Sequence, residues 1–296
     1  MKSNYRYIVK AFMAMAVIAG TTSCDDFLDR EPMSSISPET YYSTAAQLEA
    51  NLNDEYPNVL PSFGQWTYGI FGEDKGTDNQ IEVNANDRYT QDRWKVPHSE
   101  SDNWKFERIY RINFFLSEAL PKFGEDMSGS QNTISGSVAT IKHYIGEMYF
   151  LRAYEYFKKL QLFGDFPIIN QPLADEMEAL REASKRFPRN EVARFIISDL
   201  DKAYAYMSDV DMATTRINKD AAMLVKSRVA LFEATWLQNF KGTAFVPGGE
   251  GWPGASLHNN YQYPSGNLDN EVKYFLEQAV EASKLVADKY KGNLTE

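Results

Sequence analysis

The chain has 296 residues, 43% of them hydrophobic and 14% aromatic, which is enough apolar material for a sizeable core. Its formal charge is −10, and Lys2, Arg6 and Lys10 all precede Cys24, so the remainder sets 28 basic side chains against 41 acidic ones. Such a surface repels phosphate backbones and anionic headgroups, which argues against nucleic acid as a partner and against electrostatic adsorption to lipid. A lone cysteine excludes an internal disulfide, and without a CxxC or Cys/His cluster no structural zinc is expected.

In chain order, residues 1–23 read as a lipoprotein signal peptide. Three cations precede a continuous apolar run, "AFMAMAVIA" from Ala11 to Ala19, about half of the ~20 residues a membrane-spanning helix needs. The small residues Gly20 to Ser23 then resemble a lipobox, with Thr21 where Leu is usual, and Cys24 becomes the acylated residue. At about 0.8 kcal/mol per buried CH₂, one acyl chain binds marginally whereas two or three anchor firmly. The alternative is an ordinary signal peptide with an incidental cysteine. Residues 24–37, "CDDFLDREPMSSIS", read as an acidic, Ser/Pro-rich tether, and residues 38–296 as the folded domain.

Within that domain Ser37, Pro38 and Glu39 suggest an N-cap, N1 and N2 opening a helix to about Tyr56. A long loop, 57–102, follows. Residues 103–120 place Phe106, Ile109, Tyr110, Asn113, Leu116 and Leu120 on one face, and Pro121 is expected to end the run. A longer helix is expected from about Gly136 to Phe163, with Gly164 as its C-cap. Further stripes run from Val192 to Met207, from an Asn218 cap to Trp236, and from an Asn267 cap to Val286, with a second long loop at 241–266. The last four helices fall into two antiparallel pairs, so the fold expected is mainly all-α, built of tetratricopeptide-like helical pairs with long irregular loops.

The succession "CDDFLD", "NWKFERIYRINFFL", "GEMYFLRAYEYFKKLQLFGDFPII", "NEVARFIISDLDKAY" and "RINKDAAMLVKSRVALFEATW" resembles the SusD/RagB family of Bacteroidetes outer-membrane, nutrient-binding lipoproteins, across essentially the whole chain. The resemblance implies a surface lipoprotein that captures oligosaccharide or polysaccharide and acts as a lid on a SusC-type TonB-dependent transporter, without catalysis and without a cofactor. It also implies that Asp25 and Asp26 belong to a surface-export signal; the plainer reading is that they solvate the tether. Family members continue past the helix ending near Tyr290 with a second, irregular half, so the chain reads as a C-terminally incomplete member, with an apolar face exposed where that half would sit.

Sugar recognition needs aromatic faces against pyranose C–H surfaces and carboxylates or amides for the hydroxyls. The candidates are Trp66, Tyr68, Asp78, Asn79 and Trp94 in the first long loop, and Trp252, His258 and Tyr261 in the second, with Trp252 foremost and Trp94 next. Four glycines, 248, 249, 251 and 254, would bring the second loop's backbone close to a ligand. For any one ring the alternative is that it pins its loop to the helices. Trp104 and Trp236 are assigned to packing. "GEGWPG" matches GxGxxG by letters only, because Pro247 and Pro253 disrupt the strand and helix a dinucleotide site requires. His143 and Glu147, four apart, are read as a surface hydrogen bond rather than a metal site, and the acidic stretch 74–82 lacks the EF-hand register. No GxSxG, HExxH or P-loop is present. The competing readings are a helical-repeat scaffold that binds protein or peptide at the outer membrane, and a glycan-degrading enzyme, for which no carboxylate pair is singled out among the 41 acidic residues.

Overall fold

The computed structural model describes residues 41–61, 80, 103–124, 126–208, 212 and 215–292. The helices are α1 (Ala45–Val59), α2 (Glu107–Phe123), α3 (Val138–Phe163), α4 (Met177–Ala183), α5 (Arg189–Tyr206), α6 (Lys219–Asn239) and α7 (Leu268–Tyr290), with a 3₁₀ turn at Pro253–Ser256. Isolated bridges pair Thr44 with Ser135 and Phe166 with Phe187. All seven helices lie in one compact unit, Tyr42–Glu296.

Local chemistry sets most helix ends. Ser137, Asn218 and Asn267 each accept the N3 amide of the helix they open. The first helix departs from expectation. Thr44 accepts the Gln47 amide while the Gln47 side chain accepts the Thr44 amide at 3.0 Å, a capping box. Tyr42 just before it has φ 60°, outside the helical region, while Ser37, Pro38 and Glu39 lie outside the described residues. Pro121 does not terminate α2, which runs to Phe123: a proline in the last turn forgoes one amide bond, and Gly124 closes the helix on the Leu120 carbonyl. α4 has no buried residue and therefore no apolar stripe by which to be read from sequence.

α3 is the axis of the fold, packing against α1 and α2 and also against α5; α5 packs on α6 and α6 on α7. Ile141, Ile145, Met148, Leu151 and Tyr156 of α3 are buried, as are Ile196, Leu200 and Ala203 of α5, the helix packed on it. Each aliphatic side chain so buried contributes roughly 1.5–3 kcal/mol. Gly146 permits the closest approach: a Cβ there would lie 2.8 Å from the Met207 amide nitrogen and 2.9 Å from the Ala203 carbonyl.

Buried ion pairs stitch the array. Arg152 of α3 forks onto Asp199 of α5 at 2.6 and 2.8 Å, and Arg189 of α5 onto Glu233 of α6 at 2.8–3.1 Å. Arg194 of α5 grips Glu271 of α7 at 2.7 and 2.8 Å. Arg216, ahead of α6, grips Glu147 of α3 at 2.6 and 2.8 Å. Desolvation offsets much of their attraction, so what they chiefly add is register, because losing one partner strands a buried charge. His143 and Glu147 belong to this interior and are not a surface pair. The Glu147 carboxylate also accepts Tyr56 Oη (2.8 Å) and contacts His143 Nε2 (2.9 Å), while His143 Nδ1 accepts the Ser208 amide at 3.1 Å. That acceptor role places the imidazole proton on Nε2, facing Glu147 and the Ile217 carbonyl, and leaves no ring nitrogen for a metal.

Candidate functional site

The end of α3 organises the site. Gly164 adopts φ 68°, a conformation glycine tolerates without strain, and turns the chain so that Asp165 faces the start of α5. Asp165 Oδ1 accepts the Arg189 amide at 2.9 Å, and Oδ2 accepts the indole N–H of Trp252 at 2.7 Å. One carboxylate thus joins the end of α3, the first turn of α5 and the second long loop. Burial pushes its pKa up against the pull of these bonds.

Beside this junction lies a cavity of about 650 Å³. Phe163, Trp236, Phe245 and Trp252 supply its rings, and Gln161, Asp165, Arg186 and Arg189 its polar groups. Phe245 is 62% exposed at its rim, whereas Trp252 is 5% exposed, with only part of its ring available. Among the described residues no three His, Cys, Asp or Glu side chains group as metal ligands would.

The three candidates of the second loop come together. Trp252 stacks on His258 (6.0 Å, 23°) and leans on Tyr261 (5.6 Å). Tyr261 exchanges hydrogen bonds with Asn190 of α5 at 2.9 and 3.1 Å, and His258 Nε2 meets the Arg186 carbonyl at 2.8 Å. His258 and Tyr261 therefore brace Trp252 from behind, and Trp252 reaches the cavity. Of the loop's glycines, Gly254 serves the same brace: a Cβ there would lie 2.2 Å from the Trp252 ring. Trp66, Tyr68, Asp78, Asn79 and Trp94, like Cys24, Asp25 and Asp26, lie outside the described residues.

Trp236 departs from its assignment to packing. It is half-buried and lines the cavity, held by its indole N–H on the Phe245 carbonyl (3.1 Å) and by the Arg189 guanidinium 4.1 Å from its ring centroid. Its signal in the sequence was the ladder Phe232, Trp236, Phe240 at four-residue spacing, bulkier than a two-helix seam needs. Trp104 is also only half-buried, edge-on to Phe163 and Phe166 with Arg186 4.5 Å from its ring.

Fold and cavity together define an array of tetratricopeptide-like helical pairs whose connectors enclose an aromatic-lined hollow. The chain belongs to the SusD-like family described as "Starch-binding associating with outer membrane", which it matches over residues 26–231. It is 25% identical over 233 residues to SusD-like protein P25 of Formosa agariphila, covering 72% of this chain and 41% of that protein. With SusD-like protein P2 of the same organism it shares 25% identity over 253 residues, 81% of this chain and 46% of that one. A crystal structure of a SusD-like carbohydrate binding protein from Bacteroides vulgatus aligns over 86% of this chain and 47% of its own, at 15% identity and a TM-score of 0.49. The chain thus spans less than half the length of these relatives.

Proposed function

We propose that the chain is a glycan-binding lipoprotein of the outer membrane. Its signal peptide spans residues 1–23, lipid on Cys24 anchors it, Asp25 and Asp26 direct export to the cell surface, and residues from 38 onward form the binding domain. It passes oligosaccharide to a SusC-type TonB-dependent transporter and performs no chemistry on it. The observation that carries this reading is the cavity at the end of α3, which sets Trp236, Trp252 and Phe245 beside Asp165, Arg186 and Arg189. Rings offer faces to the C–H surface of a pyranose, and the charged groups offer donors and acceptors to its hydroxyls. Family membership supports the same reading.

Calorimetric titration with a panel of neutral oligosaccharides tests it. Saturable binding is expected, and Trp236→Ala should weaken it by about fivefold or more, since loss of one aromatic platform in a partly desolvated site is worth upwards of about 1 kcal/mol. If no sugar binds and Trp236→Ala instead weakens association with a transporter, the chain is a protein-binding scaffold.

A further inference from the structure

Across Leu162 from the aromatic cavity lies a second one, of about 510 Å³; Leu162 is 57% exposed and lines both. Its chemistry differs sharply. Lys105, Arg108, Arg111, Lys158 and Lys159 line it, against the carboxylates of Glu55, Glu107 and Glu155. A net cationic hollow runs counter to a chain of formal charge −10.

Most of these charges are spent inside the protein. Arg111 is bound by Asp54 and Glu55. Lys159 donates to the Asn103 carbonyl at 2.7 Å and sits 3.3 Å from Glu155, and Lys158 donates to the Val59 carbonyl. Apart from the exposed Glu107, which is also unpaired among the described residues, two groups are left over. Among the described residues Arg108, exposed on the first turn of α2, makes no hydrogen bond or ion pair. Glu55 is 1% exposed, and while its Oε1 takes the Arg111 guanidinium, its Oε2 is buried without a partner. A buried acceptor left without a donor is costly, and burial raises the Glu55 pKa in consequence.

The unused pair specifies a ligand that brings both a negative charge and hydroxyl donors. Inorganic sulfate brings a negative charge but no donor. A uronic acid ring carries its carboxylate and its hydroxyls together. We propose that this cavity is a second subsite of the same groove and takes the uronate ring of an acidic oligosaccharide, whose carboxylate pairs with Arg108 while a hydroxyl donates to Glu55 Oε2. The neighbouring sugar crosses Leu162 into the aromatic cavity, so this inference rests on the glycan reading given above.

The test is titration of the full chain in detergent with tetragalacturonate, tetraglucuronate and tetramannuronate, each against its carboxyl-reduced neutral counterpart. At low salt at least one uronate should bind roughly tenfold more tightly than its counterpart, the contribution of one hydrogen bond to a charged partner. Arg108→Gln should erase that preference and leave the melting temperature unchanged, because the arginine is exposed and has no partner among the described residues. Glu55→Gln should weaken uronate and counterpart alike, since Arg111 keeps the remaining oxygen and an amide N–H₂ then replaces the Oε2 acceptor. Equal affinity for the two members of every pair, or a uronate preference that survives Arg108→Gln, overturns the inference. If neutral sugars bind in a Trp236-dependent way without that preference, the inference falls and the glycan reading stands. If no oligosaccharide binds, both fall. A preference lost with Arg108→Gln yet indifferent to Trp236→Ala upholds the charged subsite and removes the aromatic one.

Discussion

At Asp165 two hydrogen bonds decide where the second long loop rests. Asparagine at this position keeps one acceptor where two are used, so either the Arg189 amide or the Trp252 indole loses its partner. Asp165→Asn should therefore cost about 1–3 kcal/mol in urea unfolding, with a changed near-ultraviolet signal from Trp252. An unchanged midpoint would mean that the junction is held by ring packing alone. The stretch "FGDFP" lies within one of the blocks that carry the family resemblance, but its structural task was not legible there, because the Trp252 that Asp165 engages lies 87 residues away.

At the scale of helices, close packing and buried charge act together. Gly146→Ala pushes a methyl group into the backbone at Ala203 and Met207, where no flexible side chain can yield. We expect a loss of about 1–3 kcal/mol, read as a lower melting temperature; a neutral result would show that α3 and α5 can slide apart without loss. The α5–α7 link titrates. Burial alone would raise the Glu271 pKa, but Arg194, Asn190 and Ser265 hold the carboxylate and bring it below its ordinary value of 4.5. A carboxylate lowered in the folded state contributes stability that is present above pH 4.5 and is lost as the pH falls through the folded pKa. Glu271→Gln should accordingly lower stability at neutral pH and flatten its decline below pH 4.5. A parallel decline in both proteins would assign the acid sensitivity elsewhere.

For the molecule as a whole, the link to the membrane is proposed at a single residue. None of the described helices is long and apolar enough to cross a bilayer, and the reading places attachment on the Cys24 sulfur and its new amine. Cys24→Ala should abolish incorporation of labelled fatty acid and release the protein from the membrane fraction. Label retained by that variant would refute lipid attachment at this residue. The anchor and the binding cavities then belong to separate parts of the chain, so the released variant should keep its affinity for sugar.

What the sequence by itself determined is what neighbours along the chain decide: the apolar stripes of the main helices, the Asn218 and Asn267 caps, the glycine end of α3, and the succession of helices that pairs them into an array. Spacings of three and four residues and side chains that cap their own helix are local physics, so they survive in one dimension. Tertiary structure alone decided which face each neighbour covers. Trp236, on a helical stripe, opens to the cavity, whereas Trp252, in a glycine-rich loop, is largely buried by His258, Tyr261 and Asp165. His143 and Glu147 read as a surface pair until Tyr56, Ser208 and Arg216 closed over them. Periodicity reports that a face is apolar or polar; burial depends on what the rest of the chain brings against it, over separations no local pattern records.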